Sequence, residues 1–464
     1  MTDILIRDAD WLITVDRERR ILTDGALAIQ GDRIVAVGKT RDLEAEHSSA
    51  RRIIDARGKV VVPGLIDAHI HTAFQLSRGL ADEVSAQKFL FERMYPYEGL
   101  LSEEENYWSA MLCVLELLRN GVTTFIDAGN YHPGQTAQAV GEVGMRCIVA
   151  KSALDIVRSS FGGLPETFIE TTDQAVERAE EVVRTWNGAY GGRVRAWFQF
   201  RGVPNSTDRL VTRMKELADR YGTGVQTHAC FSKETLEACR AQFGLTEIER
   251  LARLGVLGPN VLLGHSGWVS PHEVECMREH DVKIVAAPSS SLHNGYGCIV
   301  MGKIPEFLEM GLAVGLGSDH ASSGVVDLVQ EMMLVAGAYK EVRLNTAVMP
   351  PERVVEMATV NGARCALWEG EIGSLEVGKK ADVTVFNAHT PQWQPLYNPI
   401  SNLVYSATGA SVDTVICDGK VLMEGRELQT FDEEKVYAET ARLMPGILNK
   451  TNLAEKVAPK WPVI

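Results

Sequence analysis

The sequence predicts an α/β protein made of a TIM (β/α)8 barrel and a small β-sandwich formed from the N- and C-terminal segments. Three observations support this prediction. Apolar strand-like runs alternate with helix-like runs through the middle of the chain, which is typical of a parallel sheet. Short alternating strands occur near both ends of the chain, and histidines or an aspartate stand where several central strands end.

The two ends of the chain have the pattern of antiparallel strands. Within residues 1–58, short alternating runs are separated by glycines that mark turns, which predicts hairpins. Similar runs return at 381–386 and 414–422, so we expect residues 1–58 and 371–428 to be the two halves of one sandwich. Residues 429–464 form a predicted helical tail, whose apolar stripe would pack on the barrel or on a second subunit.

The middle of the chain, residues 59–370, holds eight strand-like runs, as many as a TIM barrel requires. The opening run, 60–72, is rich in β-branched and aliphatic residues and ends in two histidines. The other runs are 122–127, 145–150, 194–200, 224–228, 261–265, 282–288 and 312–319. The segments between them space apolar residues as helices do. A barrel of ~250 residues and a sandwich together account for a chain of 464 residues.

Composition limits the classes of partner. The chain has 61 acidic and 47 basic residues, a net charge of −14, and no basic block, so we expect it to bind neither nucleic acid nor an anionic membrane. Eight scattered cysteines, without a C-x-x-C pair, and the lack of an apolar signal segment predict a reduced cytoplasmic protein without a transmembrane span. The expected partners are a small-molecule substrate and further copies of the chain in a homo-oligomer of unstated size.

The strand ends carry side chains that bind metals. His69 and His71 are two residues apart on a strand, so both imidazoles point to the same face. This pair predicts a metal site, the alternative being two histidines that are each hydrogen-bonded within the core. Later strands end in His228, His265 and Asp319. Because barrel enzymes carry their chemistry at the C-terminal ends of the strands, these five side chains are expected to converge.

The predicted cofactor is one divalent metal ion, bound by His69, His71, His228 and Asp319. Zinc is the usual ion for three histidines and a carboxylate, while cobalt and manganese accept similar ligands. Such an ion would lower the pKa of a water molecule towards neutrality. Asp319 is then the candidate to accept the proton of this water, and His265 the candidate to polarise the substrate oxygen.

Four further residues are candidates for substrate binding. Arg201, after the fourth strand, would donate to a substrate carbonyl or form a surface salt bridge. His293 and His320 follow the last two strands and are second histidine candidates. Phe231 would line an apolar pocket or pack in the core.

Motifs along nearly the whole chain point to a known family. They are residues 63–71, 227–228, 264–265, 315–319, 358–364 and 373–382. Together they resemble the metal-dependent amidohydrolase superfamily, in particular its branch of triazine hydrolases and cytosine- or guanine-type deaminases. The resemblance implies one metal ion at the positions of His69, His71, His228 and Asp319, with His265 as a catalytic residue.

The chain departs from the pattern of that branch at two positions. Branch members usually place a glycine after the strand-eight aspartate, where this chain has His320. They also usually carry a glutamate three residues after the strand-five histidine, where this chain has Phe231. Ring deamination depends on that acid, whereas hydrolysis of an amide or urea can proceed with Asp319 alone. We therefore expect a hydrolase that cleaves the C–N bond of an N-substituted urea, carbamate or thiocarbamate. This departure makes the chain most similar to the phenylurea and molinate hydrolases.

Two alternatives stay open at this stage. The first is a deaminase or dechlorinase of an N-heteroaromatic ring of the triazine, pyrimidine or purine type, with Glu234 in place of the missing acid. The second is a barrel that has lost catalysis and assembles with partners. The sequence does not show which residue, if any, replaces the glutamate at position 231.

Overall fold

Two sheets organise the chain in the computed structural model, which describes residues 2–463. In chain order, the strands of the described residues are β1 (Ile4–Ile13), β2 (Ile21–Gln30), β3 (Arg33–Lys39), β4 (Arg52–Asp55), β5 (Lys59–Pro63), β6 (Leu65–Ile70), β7 (Val122–Asp127), β8 (Arg146–Ala150), β9 (Val194–Gly202), β10 (Val225–Ala229), β11 (Val261–His265), β12 (Lys283–Ala286), β13 (Val314–Leu316), β14 (Val383–Asn387), β15 (Val412–Cys417), β16 (Lys420–Glu424) and β17 (Glu427–Leu428). Strands β6 to β13 form the barrel, and the other nine form one terminal sheet. The predicted fold class is confirmed.

Helices cover the outside of the barrel and form the C-terminal segment of the chain. The α-helices are Thr40–His47, Ala86–Lys88, Tyr95–Glu98, Glu103–Arg119, Pro133–Val143, Thr172–Trp186, Ala189–Gly192, Asp208–Tyr221, Lys233–Phe243, Glu247–Arg253, Pro271–Glu279, Pro288–Asn294, Ile304–Glu309, Leu328–Arg343, Pro351–Met357, Val360–Cys365, Pro399–Tyr405 and Glu433–Thr451, and Phe89–Met94 is a π-helix. Short 3-10 helices are Thr72–Ser77, Glu166–Phe168, Val203–Asn205, Ala321–Ser323, Pro391–Trp393, Gly409–Ser411 and Ala454–Val457. Within residues 2–463, no helix is both long enough and apolar enough to cross a membrane.

The barrel strands are parallel and follow one another in sequence order from β6 to β13. The first and last strands meet at their C-terminal ends, where the backbone N–H of Asp319 donates to His69 O at 2.9 Å. The N–H of His71 returns a hydrogen bond to Asp319 O at 2.6 Å. Closure of the barrel therefore brings the predicted ligands of the first and eighth strands side by side.

The interior of the barrel is filled by aliphatic side chains from its strands. Ile66, Ile126, Ile148, Leu262 and Val285 form one cluster and are almost completely buried. The strands read as nearly continuous apolar runs because both of their faces are covered, one by this interior and one by the helices. The packed interior leaves the C-terminal ends of the strands as the place for a functional site.

The opening run is divided at Gly64 rather than forming a single strand. β5 lies in the terminal sheet, where Val61 pairs with Leu12 of β1 and with Val385 of β14, whereas β6 lies in the barrel. A Cβ atom on Gly64 would lie 2.2 Å from Thr123 Oγ1, so glycine lets the chain pass closely between the two sheets. The predicted halves of the sandwich thus share one sheet, and the domain boundaries drawn from the sequence stay predictions.

The C-terminal helix, Glu433–Thr451, packs on the barrel helix Glu103–Arg119. Arg442 forms an ion pair with Glu104, and Lys450 forms one with Glu105. Leu443 on this helix is buried. The apolar stripe of the tail therefore packs against the barrel of the same chain.

Candidate metal centre and active-site cavity

The centre begins with the two histidines of the first barrel strand. His69 and His71 are 3% and 4% exposed, and their Nε2 atoms lie 3.5 Å and 3.6 Å from Asp319 Oδ1. The alternation of side chains along a strand gives both imidazoles the same direction, as the spacing predicts. The barrel closure at Asp319 then supplies a carboxylate to the same point.

His228, at the end of β10, completes a group of four ligands. Its Nε2 atom lies 3.0 Å from His71 Nε2, and its Nδ1 lies 2.7 Å from Arg201 O, to which it can donate. That hydrogen bond leaves the lone pair on Nε2, as a metal ligand requires. Ligand atoms of His69, His71, His228 and Asp319 all lie within 4.8 Å of one another. The residues therefore fit a metal ion, and the predicted convergence is observed.

The protonation of this group suits metal binding. Burial, and then the charge of Arg201, lowers the pKa of His71 well below its usual value. Burial followed by His69 and His265 does the same for the pKa of His228. Burial raises the pKa of Asp319, but His320, His265 and His69 outweigh it and hold the pKa well below the usual value. Neutral imidazoles and an ionised carboxylate are the forms that bind a cation.

The two oxygens of Asp319 have different surroundings. Oδ1 is near the ligand histidines, whereas Oδ2 accepts a hydrogen bond of 2.5 Å from Ser290 Oγ. His320 Nε2 and His265 Nε2 lie 3.5 Å and 3.8 Å from the same Oδ2. Burial is the main cause that lowers the pKa of His265 to about 4, so its imidazole is neutral near pH 7. Asp319 can therefore bind a metal ion with one oxygen and exchange a proton with the other.

The backbone is strained where three strands reach this centre. Cys230, His265 and Asp319 have φ angles of 53°, 73° and 60°, in the left-handed region that favours glycine. Such conformations cost about 1–3 kcal/mol each and persist at sites that the surrounding structure fixes. Their position at the C-terminal ends of strands agrees with a functional role for this face.

A cavity that is partly open to solvent lies over the centre. Most of its wall is apolar and aromatic. The aromatic residues that line it are Phe74, Phe89, Tyr95, Phe161, Phe231 and Tyr296. Phe231 is 9% exposed and its ring centroid is 5.7 Å from that of His265, so it serves both the core and the cavity wall. His320 also lines the cavity and stacks on Phe89 with centroids 4.7 Å apart.

Arg201 lines the same cavity, but its charge is neutralised within the protein. The guanidinium donates to Glu98 Oε2 at 2.5 Å and to Ser152 Oγ at 3.3 Å. Arg201 and Glu98 are 3% and 1% exposed. The salt bridge considered as the alternative for Arg201 is therefore present, but it is buried and not on the surface, and its cation also borders the predicted substrate site.

Two residues considered in the sequence analysis lie elsewhere. His293 is not among the residues of the cavity wall, and its Nε2 instead lies 3.1 Å from Asp82 Oδ1. Glu234 is exposed on the helix Lys233–Phe243. No sequence pattern singled out Glu247, which lines the cavity as the first residue of the helix Glu247–Arg253. Acidic residues are common in a first helical turn, so its pattern gave no signal.

Comparisons with known proteins agree on a family. The amidohydrolase family profile matches residues 60–422, and an imidazolonepropionase-like composite domain of bacteria matches residues 25–47. A 5'-deoxyadenosine deaminase of Methanosarcina acetivorans is 33% identical, over 97% of this chain and 100% of its own length. A 5-methylthioadenosine/S-adenosylhomocysteine deaminase of Moorella thermoacetica is 33% identical, over 96% of this chain and 99% of its own.

Solved structures similar to this chain also include a deaminase and a chlorohydrolase, both with zinc bound, as their names state. A zinc-bound adenosine deaminase of Xanthomonas campestris is 25% identical, with a TM-score of 0.90, covering 96% of this chain and 99% of its own. An atrazine chlorohydrolase of Arthrobacter aurescens complexed with zinc is 26% identical, with a TM-score of 0.85, covering 95% and 100%.

These findings contradict the expectation of a urea, carbamate or thiocarbamate hydrolase. The full-length relatives are named as deaminases of adenine nucleosides, and the similarity to phenylurea and molinate hydrolases is not supported. The expectation depended on a few positions, above all Phe231, although a fold can bring an acid to the same place from elsewhere in the chain. The findings favour the alternative, a deaminase that acts on an N-heteroaromatic ring.

Proposed function

Because this chain belongs to the amidohydrolase family, we propose that it is a metal-dependent deaminase of an adenine nucleoside such as 5'-deoxyadenosine or 5-methylthioadenosine. The observation that carries the proposal is the 33% identity to a 5'-deoxyadenosine deaminase over nearly the whole chain, with the four ligand side chains converged. In this reaction one water molecule replaces the amino group of the purine ring. The ring carbon gains the oxygen, and ammonia leaves.

We propose that His69, His71, His228 and Asp319 hold one divalent ion. Zinc is the expected ion, because two solved neighbours contain zinc and because three histidines with a carboxylate suit it. The buried Nε2 atom of His69 has no hydrogen-bond partner among residues 2–463, which supports this assignment, since a buried ring nitrogen needs a hydrogen bond or a metal ion. A bound divalent ion supplies a water molecule whose pKa is lowered towards neutrality.

The remaining steps are assigned to side chains of this chain. Asp319 Oδ2 accepts the proton that the attacking water releases and later passes it to the amino group, which leaves as ammonia. Ser290 holds that oxygen in place through its hydrogen bond. Neutral His265 donates a hydrogen bond to the oxygen as it joins the ring carbon, and thereby stabilises the charge that develops there.

The cavity wall suits the proposed substrates. Aromatic side chains such as Phe89 and Phe161 give the cavity an apolar wall, which suits a purine ring and a 5' group without a hydroxyl. Arg201, Phe231 and His320 are the proposed substrate-binding residues, since all three line this cavity. His293 is left out of this set because it pairs with Asp82 outside the wall.

The assignment of ligands predicts the effect of removing one. We expect His69→Ala to lose the bound ion and more than ~99% of the deaminase activity, because it removes one of four ligands and with it the activated water. Metal content is measured by inductively coupled plasma mass spectrometry after zinc loading, together with activity. His280→Ala, an exposed histidine, is the control and should keep both. Full metal content in His69→Ala would contradict the assignment.

The proposed function is tested with the zinc-loaded protein and a set of substrates. We expect ammonia release, and the matching change in ultraviolet absorbance, from 5'-deoxyadenosine and 5-methylthioadenosine. The value of kcat/KM for adenosine should be lower by about 10- to 100-fold, because an apolar wall leaves the extra hydroxyl without a partner. A triazine with a chloro substituent serves as the comparison substrate. Chloride release without ammonia release from any adenine nucleoside would contradict the proposal.

A further inference from the structure

The proposed reaction needs an acid that the residues assigned so far do not provide. When water adds to the amino-bearing carbon of a purine, the neighbouring ring nitrogen gains electron density and must take up a proton. Asp319 is already engaged with the proton of the water. The position three residues after His228, where the resemblance places a glutamate, is Phe231, and Glu234 is exposed on the helix Lys233–Phe243.

Glu247 is a carboxylate that reaches this region from another element. It is 1% exposed and lines the cavity together with His228 and His265. Its Oε2 accepts the backbone N–H of Cys230, the residue directly before Phe231. The carboxyl group therefore lies beside the strand end from which a side chain at position 231 would extend.

We propose that Glu247 is the acid that protonates the ring nitrogen of the substrate and so takes the role of the missing carboxylate at position 231. This inference rests on the proposed function. It adds a catalytic residue that comes from the start of the helix Glu247–Arg253 rather than from the strand-five motif.

The protons balance over the complete reaction. Protonated Glu247 gives its proton to the ring nitrogen while water adds its oxygen to the ring carbon and its proton to Asp319. The carbon–nitrogen bond to the amino group then breaks, Asp319 returns its proton to that group, and ammonia leaves. The hydroxyl proton of the adduct passes to Glu247 as the ring carbonyl forms, so both carboxyl groups are restored.

The surroundings of Glu247 agree with this role. Burial raises the pKa of its carboxyl to about 7. A group that both donates and accepts a proton works best when its pKa lies near the working pH. An ordinary exposed glutamate, with a pKa near 4.3, would be almost fully ionised at that pH and a poor acid.

The experiment must separate catalysis from a structural role, since Glu247 also anchors the N–H of Cys230. Glu247→Gln separates the two roles. The amide oxygen still accepts that hydrogen bond, whereas the amide NH2 group is too weak an acid to protonate the substrate. Glu234→Gln, an exposed glutamate nearby, is the matched control. The double variant Phe231→Glu/Glu247→Gln restores a carboxyl at the neighbouring position.

With 5'-deoxyadenosine and zinc-loaded protein, we expect Glu247→Gln to lower kcat by about 10²- to 10⁴-fold, the usual contribution of a general acid. The KM, zinc content and Tm should stay close to those of the wild type, and Glu234→Gln should behave as the wild type. The double variant should recover at least tenfold in kcat.

Three results would overturn the assignment of Glu247 alone. The first is a kcat within threefold of the wild type in Glu247→Gln, and the second is a loss of kcat in that variant together with a loss of bound zinc or a lower Tm. The third is an equal loss of kcat in Glu234→Gln. The absence of ammonia release from the wild type would instead overturn the proposed function, and this assignment with it.

Discussion

Asp319→Asn is expected to lower the kcat for deamination by about 10⁴-fold, the upper end of what one general acid–base group contributes. The effect is large because the same carboxylate is a proposed metal ligand through Oδ1 and the proposed proton acceptor through Oδ2. Asparagine keeps the shape of the side chain and tolerates the left-handed backbone at this position, whose φ is 60°. The measurement is ammonia release from 5'-deoxyadenosine at saturating substrate.

A matched aspartate serves as the control for Asp319→Asn. Asp281 also has a left-handed backbone, with φ of 50°, but it is exposed. Asp281→Asn should therefore keep the wild-type kcat. A kcat for Asp319→Asn within tenfold of the wild type would show that this side chain does not transfer the proton.

Arg146→Met is expected to destabilise the fold by about 3–5 kcal/mol, as the loss of one partner of a buried ion pair usually does. Arg146 is 1% exposed, and its Nε donates to Asp382 Oδ2 at 2.7 Å. Its Nη2 donates to Asp418 at 2.5 Å. The substitution would leave the Asp382 carboxylate buried without its cation, at the contact between β8 of the barrel and the terminal sheet. Urea-induced unfolding, followed by circular dichroism, measures the change.

An exposed ion pair provides the comparison for Arg146→Met. Arg213 pairs with Glu216 on the surface of the helix Asp208–Tyr221, so Arg213→Met should cost less than about 1 kcal/mol. Arg146 begins β8, whereas the proposed ligands lie at the C-terminal ends of the barrel strands. Zinc content, measured in both variants, should therefore stay unchanged. A destabilisation of less than about 1 kcal/mol in Arg146→Met would mean that water reaches the carboxylates of this cluster.

Much of the centre could be predicted from the sequence because its ligands obey local rules. The alternation of a strand fixes the common direction of His69 and His71, and the barrel rule places His228, His265 and Asp319 at the same end. Those rules need only the position of each residue on its own strand. They do not show the contact of Arg201 with Glu98, which lies 103 residues earlier in the chain.

The proposed catalytic acid is a residue that local sequence patterns do not identify. From the sequence, Phe231 removes the expected carboxylate, and Glu234 is the nearest replacement along the chain. In the structure, Glu234 is exposed while Glu247 hydrogen-bonds to the backbone beside Phe231. Closeness along the sequence is a poor guide here, because Glu234 is exposed on its helix, whereas Glu247, further along the chain, is buried and lines the cavity.

The sequence by itself determined the eight-stranded barrel, the terminal strands and the set of proposed ligands, because periodicity and strand ends are properties of short segments. Only the tertiary structure decided that the opening run divides at Gly64, that the terminal strands share one sheet, and that Glu247 lines the cavity. Each of these depends on the packing of segments far apart in the chain. Such packing is set by the shape and burial of the whole molecule, which no short stretch of sequence records.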